Sequence, residues 1–381
     1  MSNMSLSKAV AAERRSVGQP RLALALRSAP LVLRGAYEYN IASRFGPLPA
    51  REWLFPVTYR CNARCVMCNI WQSERTDELS VDQWNSILDD KLFAGIESVS
   101  LTGGEPTLRR DLPELANLLL GRLPSLRRVT ITTNALQPRR VAGQCEELLR
   151  LCRSHGVGFF VGISLDGIGA VHDEMRNVPH AFDNVESTVQ QLKPLQAQGL
   201  RMGINCTLTS RNLRDAENVR RWAAEHGLPV NYIIASFADS FYANVDSQDE
   251  LALGAKQRRQ LIDFLRTLAA ERSLANLPAY FYGDMLRMIE TGTARSTPCV
   301  FQKDGFILDA RGDMQYCMYS QVLGNVTENG AADTYYAPNN LAHRQDVIDC
   351  KCDRCTITCF LELALAKDLF RYLLFLLAGS P

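Results

Sequence analysis

Short apolar, β-branched runs alternate with longer amphipathic stretches along residues 53–234. The short runs predict six strands, at 53–58, 98–101, 128–133, 160–165, 202–208 and 230–234. The amphipathic stretches between them predict helices, at 80–93, 112–122, 139–155, 181–198 and 213–226. Because neighbouring parallel strands need crossover connections, this alternation predicts a parallel sheet wrapped by helices.

Six strand–helix units fall short of a closed eight-unit barrel, so we expect an α/β fold with a partial (β/α)6 TIM barrel. Its working edge is the carboxyl end of the strands. The predicted divisions are a basic amphipathic helical extension at 1–50, the barrel core at 51–240, a helical bridge at 241–298, a small cysteine-rich domain at 299–360 and an apolar helix at 361–381. A hairpin is expected in the cysteine-rich domain, with its turn at residues 311–312.

The charge balance and hydropathy of the chain argue against several classes of function. The chain has 42 Lys and Arg against 41 Asp and Glu, which argues against a nucleic-acid binder. No apolar run reaches the ~20 residues of a membrane span, so we expect a cytoplasmic protein. Residues 1–50 are more basic than the rest, with seven Lys and Arg against two Glu. This extension is expected to pack on the domain or to contact an anionic membrane surface or a lipid-like substrate.

The cysteines carry the most specific signal. Nine of the twelve fall in three groups, namely Cys61, Cys65 and Cys68; Cys299 and Cys317; and Cys350, Cys352, Cys355 and Cys359. Thiolates so close along a chain can converge on one metal centre. Disulfides are not expected because nothing indicates secretion, whereas zinc stays an alternative for the last group. Three thiolates in the first group would hold three irons of a 4Fe–4S cubane and leave the fourth iron open.

Further short motifs stand at the ends of predicted strands. Gly103-Gly104-Glu105 follows the second strand, Asn134 ends the third, and Ser164-Leu165-Asp166 ends the fourth. Together with the C-x3-C-x2-C run at 61–68, they resemble the radical S-adenosylmethionine superfamily. Met67 stands where that superfamily more often has an aromatic residue.

The resemblance implies cofactors and a chemistry. The cofactors are a 4Fe–4S cluster and S-adenosylmethionine, with an external electron donor such as flavodoxin or ferredoxin. Reductive cleavage of S-adenosylmethionine then gives a 5′-deoxyadenosyl radical that abstracts hydrogen from a substrate carbon. By resemblance the cofactor-binding residues are Gly103, Gly104, Glu105, Asn134, Ser164, Asp166, Arg176, Asn205 and Met67. Glu105 is implied to bind the amino group, Arg176 the carboxylate, and Met67 to pack on the adenine.

The later cysteines resemble the SPASM and twitch extensions of this superfamily, which bind auxiliary iron–sulfur clusters. Cys299 and Cys317 fit the pattern well, whereas the four cysteines at 350–359 are more closely spaced than usual. Two arrangements stay open. One is a single cluster held by Cys299, Cys317, Cys352 and Cys355; the other is two clusters, one or both incompletely ligated by cysteine.

The substrate is not identified by these motifs. The candidate substrates are a small molecule, a sugar, a lipid-linked compound or a ribosomal peptide. The alternative to an enzyme is a non-enzymatic zinc or iron–sulfur binding module. The loop at 236–246 carries Asp239, Tyr242 and Asp246, and either lines the substrate pocket or is solvated.

Overall fold

The computed structural model of the protein describes residues 33–357, except 36, 74–76, 241 and 272–275, together with residue 363. Residues 1–32, Cys359 and nearly all of the apolar segment at 361–381 lie outside the described residues. What the sequence predicts for them stays a prediction.

A nine-stranded sheet organises the part of the chain that the structure describes. Its strands are β1 (Glu52–Thr58), β2 (Ser98–Gly103), β3 (Arg128–Thr133), β4 (Gly158–Ser164), β5 (Arg201–Leu208), β6 (Val230–Ile234), β7 (Gly305–Leu308), β8 (Asp313–Gln315) and β9 (Gly324–Asn325). Their order across the sheet is β6-β5-β4-β3-β2-β1-β7-β8-β9. Strands β1 to β6 pair in sequence and all in parallel, which confirms the predicted succession of strand–helix units.

The parallel strands share one register and therefore end at one edge. Phe55, Leu101, Ile131, Val161 and Met202 lie opposite one another in consecutive strands, and all five are buried. Strand β1 is buried along its whole length, as expected of a parallel strand covered on both faces. Polar residues that follow these strands are consequently brought to the same side of the molecule.

Helices cover the sheet and bridge to its far end. They are α1 (Val81–Ile87), α2 (Leu112–Arg122), α3 (Pro138–Ser154), α4 (Ala170–Arg176), α5 (Ala181–Leu192), α6 (Ala216–Glu225), α7 (Gln248–Leu251), α8 (Ala255–Ala270), α9 (Leu277–Thr291), α10 (Val326–Asn329), α11 (Ala331–Tyr336) and α12 (Pro338–Lys351). None of the helices in the described ranges is long and apolar enough to cross a bilayer.

Two predicted helices are each divided into an α-helix and a 3-10 helix. Helix α1 begins at a capping box, in which Ser80 and Gln83 each accept a hydrogen bond from the other's backbone N–H. It stops at Ile87, and a separate 3-10 helix, Lys91–Gly95, follows. Helix α5 continues as a 3-10 helix, Lys193–Gln198, because Pro194 has no N–H for the α-helical ladder.

The predicted hairpin forms, and it extends the barrel's own sheet. Strands β7 and β8 are antiparallel, while β7 pairs in parallel with β1. Trp53 of β1 links the two strands. Its Nε1 donates to the carbonyl of Leu308 at 3.0 Å, and its ring stacks with that of Phe306. The sheet is therefore continuous across the boundary that the sequence places before residue 299.

Candidate active site at the carboxyl edge of the sheet

The first cysteine group lies in a loop that follows β1 and is fixed from two sides. Cys61, Cys65 and Cys68 are all half-buried. The N–H of Val66 donates to the carbonyl of Met175 in α4 at 3.0 Å. On the other side, the N–H of Asn69 donates to the carbonyl of Tyr242 at 2.9 Å. The loop after β6 thus supports the cysteine loop, which places Tyr242 of the predicted pocket segment beside it.

Burial controls the protonation of these thiols. It raises the pKa of Cys61 to about 11 and that of Cys68 to about 12. Thiols with such pKa values are protonated at neutral pH, and a metal must displace the protons to bind. Metal loading of this loop is therefore expected to release protons.

Two glycines let the loop after β2 press against the cysteine loop. The N–H of Gly104 donates to the carbonyl of Thr58 and that of Glu105 to the carbonyl of Arg60, both at 2.8 Å. A Cβ at residue 104 would lie 2.1 Å from the Arg60 oxygen, and Gly103 has a φ of 123°. Only glycine permits this approach, which brings the segment at 103–105 next to Cys61.

The side chain of Glu105 points into the protein. One carboxylate oxygen accepts from the hydroxyls of Thr107 at 2.6 Å and Thr133 at 2.9 Å, and the other accepts from the N–H of Asn134 at 2.7 Å. The group is 1% exposed, and burial raises its pKa. Glu105 thus joins the ends of β2 and β3, and its predicted contact with an amino group stays a prediction.

Asn134 reaches the cysteine loop from β3. Its Nδ2 donates to Asn62 Oδ1 at 2.8 Å and lies 3.8 Å from the sulfur of Cys61. Its Oδ1 accepts from the N–H of Leu136 at 3.1 Å, which fixes the amide orientation. The structure therefore brings Asn134 and the first cysteine together.

A buried ion pair connects the end of β4 to the second cysteine. Arg176 Nη2 lies 2.6 Å from Asp166 Oδ2, and Arg176 Nη1 donates to Cys65 Sγ at 3.6 Å. Among the described residues, Arg176 Nε is buried and has no hydrogen-bond partner. Burial raises the pKa of Asp166, and the guanidinium of Arg176 opposes that rise. Asp166 thus holds the cation against the thiol, and one N–H stays available to an acceptor.

Two residues that sequence analysis missed hold this pair in place. The N–H of Asp166 donates to His172 Nδ1 at 3.0 Å, and Asn212 Nδ2 donates to the carbonyl of Asp166 at 2.7 Å. Both side chains are buried. Burial and the charge of Arg176 lower the pKa of His172 to about 2, so its imidazole is neutral. Their sequence carries no signal for this role, since each is a lone polar residue.

The remaining predicted cofactor residues line the same edge. Asn205 lies opposite Ser164 in the β4–β5 pairing, and its amide crosses the space left by the missing side chain of Gly162. Met67 is buried in an apolar cluster with Met175 and Leu251, against which Cys65 packs. The structure thus places most of the predicted cofactor residues around the cysteine loop or at the carboxyl ends of β2 to β4. Asn205 lies within β5, opposite the last residue of β4.

Four of the later cysteines surround one cavity. Cys299, Cys317, Cys352 and Cys355 all line this small, mostly apolar space. Arg295 holds the segment at 352–357, since its Nη1 donates to the carbonyls of Cys355 at 3.3 Å and Ile357 at 3.1 Å. Cys350 is exposed and does not line the cavity. The geometry therefore corresponds to the four-cysteine set of the single-cluster arrangement.

The two cysteine groups border the same apolar cluster. Its buried members include Tyr59, Met318 and Ile357. Cys61 and Cys68 pack against it, and so do Cys299, Cys317 and Cys355. Both groups therefore face a common region from which water is largely excluded.

The first cysteine group fits an iron–sulfur cluster by its donors and surroundings. It offers three thiols beside apolar clusters, and the buried N–H of Arg176 lacks a partner. In the described ranges, no group of three or more His, Cys, Asp or Glu is arranged to hold one metal ion.

A cleft with several basic residues lies at the exposed side of α4. It opens beside the carboxyl end of β5 and shares α4 with the cysteine loop; its lining residues are Glu174, Ser210, Arg211, Arg214, Lys256, Gln257 and Gln260. Three cations face one carboxylate there, and Arg211 is paired with Glu250 outside the lining. The cleft is suited to an anionic group.

Comparison with known proteins relates the part of the chain that carries this site to a family. Residues 55–234 match the family model of the radical SAM superfamily. The chain contains a radical SAM domain. This domain implies a 4Fe–4S cluster and S-adenosylmethionine as its cofactors, and it supports an enzyme. The match includes the end of β1, all of β2 to β6 and both loops that meet at Gly104.

Named relatives share this part of the chain. Fe-coproporphyrin III synthase of Methanosarcina barkeri is 30% identical over 214 residues, covering 55% of this chain and 49% of that protein. The probable GTP 3',8-cyclase of Metallosphaera sedula is 28% identical, covering 49% and 56%. Pre-heme d1 synthase of Dinoroseobacter shibae is 30% identical, covering 50% and 44%. The chain thus spans about half the length of these curated relatives.

Solved structures match a larger share of the fold. SuiB of Streptococcus suis bound to S-adenosylmethionine superposes with a TM-score of 0.55 at 16% identity, covering 89% of this chain and 76% of SuiB. The anSMEcpe structure with AdoMet and the Cp18Cys peptide gives 0.54 at 18% identity, covering 85% and 98%. Both superpositions extend beyond the radical SAM domain, and at these identities they show the fold alone.

Proposed function

We propose that the protein removes a hydrogen atom from a carbon of a small-molecule, sugar or lipid-linked substrate by radical SAM chemistry. An auxiliary iron–sulfur cluster assists the oxidation or bond formation that follows. One observation carries the proposal. Three half-buried thiols meet the glycine loop after β2 and the Arg176–Asp166 pair at the carboxyl edge of a parallel sheet.

The residues of the chain have distinct tasks in this proposal. Cys61, Cys65 and Cys68 hold the cluster. With S-adenosylmethionine and an external donor such as flavodoxin or ferredoxin, it supplies a 5′-deoxyadenosyl radical when bound. Arg176 stabilises the thiolate of Cys65 by charge and by its N–H. The apolar clusters exclude water and competing hydrogen donors from the reacting carbon.

The second cavity holds the auxiliary cluster in this proposal. Cys299, Cys317, Cys352 and Cys355 are its ligands, and Arg295 fixes the last two through the backbone of their segment. We favour the single-cluster arrangement because Cys350 is exposed away from the cavity. That both cysteine groups border one apolar cluster supports a position of the two centres on either side of it.

The substrate is proposed to be a small anionic molecule. Two named relatives are a synthase of Fe-coproporphyrin III and a cyclase of GTP, which are both small molecules. The basic cleft beside α4 supports a carboxylate or phosphate on the substrate. A ribosomal peptide is the alternative, since the structural neighbours SuiB and anSMEcpe were solved with peptides.

Anaerobic purification followed by reduction with dithionite tests the reaction. We expect an iron-containing brown protein that converts S-adenosylmethionine to 5′-deoxyadenosine. Cys65→Ala should abolish the product, whereas Cys350→Ala, a cysteine exposed outside both sites, should leave it unchanged. Circular dichroism of each variant checks that the fold is intact. A colourless zinc protein that makes no 5′-deoxyadenosine would overturn the proposal in favour of a binding module.

Deuterium transfer separates the substrate classes. Candidate substrates labelled at carbon are offered, and deuterium in 5′-deoxyadenosine identifies the molecule from which hydrogen is taken. Label arriving from an anionic small molecule supports the proposed class. Label arriving only from a peptide replaces that class with peptide maturation and leaves the radical chemistry standing.

A further inference from the structure

A short N-terminal helix carries its large apolar side chains on the outside. Residues 33–35 and 37–40 are helical, and a 3-10 helix, Ala42–Arg44, follows. At every fourth position an apolar side chain faces outward: Leu33 is 69% exposed, Tyr37 57%, Ile41 50% and Phe45 87%. These four, called here the apolar stripe, make up most of the exposed large apolar side chains among the described residues.

The opposite face of this helix is polar and is bound to the barrel. Arg34 Nη2 donates to both carboxylate oxygens of Glu97, at 2.6 and 2.8 Å. The carboxylate of Glu38 pairs with Arg51 at 2.5 Å, and the hydroxyl of Tyr39 donates to Asp304 at 2.8 Å. A surface helix ordinarily buries its apolar face and hydrates its polar one. Here the polar contacts fix the reverse orientation, so the apolar stripe cannot turn inward.

We propose that the apolar stripe docks on the surface of an anionic lipid bilayer. This goes beyond the proposed reaction and does not depend on it. Residues 1–50 carry seven Lys and Arg against two Glu, in a chain whose net charge is only +1. Glu38 is one of those two acids and is neutralised by Arg51, while the exposed Arg44 lies beside the stripe. Basic side chains flanking exposed aromatic and aliphatic ones are the pattern of an interfacial helix.

Charge distinguishes a lipid surface from the other occupants. A second copy of the chain would bring a second basic extension against the first, and the two would repel. The segment at 361–381 is apolar enough to cover the stripe. It has as many basic as acidic residues, however, so it has no excess negative charge to attract the basic extension. An anionic bilayer provides an apolar layer for the stripe and negative charge for the excess basic side chains.

Vesicle flotation with the full chain tests the proposal. The wild type should float with vesicles of phosphatidylglycerol and phosphatidylethanolamine, and much less with phosphatidylcholine alone or at high salt. Ile41→Asp with Phe45→Asp should weaken binding about tenfold or more, because it places charge in the apolar layer. Val322→Asp is the matched control, since Val322 is 48% exposed but lies far from the stripe in sequence, and binding should stay unchanged.

Several results would overturn it. Absence of wild-type flotation, or equal binding by the wild type and the double variant, removes the role of the apolar stripe. A concentration-dependent dimer that the double variant loses, measured by sedimentation, assigns the stripe to a second copy. Binding that arises only after deletion of residues 361–381 assigns it to that segment. Production of 5′-deoxyadenosine by the double variant, measured without vesicles, keeps the failure of this inference separate from that of the proposed function.

Discussion

Substituting Gly104 by alanine tests how tightly the glycine loop is pressed against the cysteine loop. The added Cβ would lie 2.1 Å from the oxygen and 2.6 Å from the carbonyl carbon of Arg60. Both neighbours are backbone atoms, so no side-chain rotation relieves the contact. The two loops must move apart by more than ~1 Å to restore a normal van der Waals distance.

The cost follows from the bonds that this movement breaks. The Gly104–Thr58 and Glu105–Arg60 backbone hydrogen bonds, both 2.8 Å long, cross the junction. Each contributes about 1 kcal/mol net, and an unpaired buried partner adds a further penalty of about 1–3 kcal/mol. We therefore expect Gly104→Ala to lower the free energy of unfolding by about 2–4 kcal/mol. The midpoint of urea denaturation should fall by about 1 M.

Gly143→Ala is the matched control for this experiment. Gly143 lies inside α3, and a Cβ there meets nothing within 4 Å. Alanine at this helical position should raise the free energy of unfolding by about 0.5–1 kcal/mol. Urea denaturation followed by circular dichroism, with iron content measured in parallel, compares the two variants. A Gly104→Ala protein with wild-type midpoint and wild-type iron content would refute the argument from loop contact.

Three further predictions concern the cysteine sites and their support. Cys317→Ser should lower the iron content of reconstituted protein by about four atoms per chain, whereas Cys350→Ser should not, as iron analysis can show. His172 binds a proton in the unfolded chain but not when folded, since burial lowers its pKa to about 2. The free energy of unfolding should therefore decrease as the pH falls below about 6.5, by up to about 1.4 kcal/mol per pH unit. In urea titrations at several pH values, His172→Gln should show a smaller change of unfolding free energy with pH, and an unchanged pH dependence contradicts this assignment. Arg176→Gln removes a cation from Cys65 and should make the cluster potential more negative by tens of millivolts or more, measured by redox titration; a potential equal to that of the wild type argues against the contact.

The sequence was sufficient for the strand–helix alternation. β1 is buried on both faces and has a short apolar run, while β3 alternates between buried and half-buried residues, and local sequence pattern detects both kinds of strand. The cysteine groups and the glycine loop were equally visible, because their chemistry depends on residue type and close spacing.

Side-chain direction and long-range pairing were not accessible in the same way. Nothing local in the sequence shows that Glu105 turns inward to Thr133 or that Arg176 pairs with Asp166. The pairing of β7 with β1 joins segments about 250 residues apart, so the hairpin was expected in a separate domain. An amphipathic N-terminal helix was expected, but its outward apolar face depends on partners such as Glu97 and Asp304 in the barrel.

The central claim is that the cluster held by Cys61, Cys65 and Cys68 keeps one iron open for S-adenosylmethionine. Electron–nuclear double resonance of the reduced protein with 15N-amino-labelled S-adenosylmethionine measures this directly. A nitrogen coupling that appears with the wild type and is absent from Cys65→Ser is the predicted result. A cluster signal that shows no nitrogen coupling and does not respond to S-adenosylmethionine would contradict it.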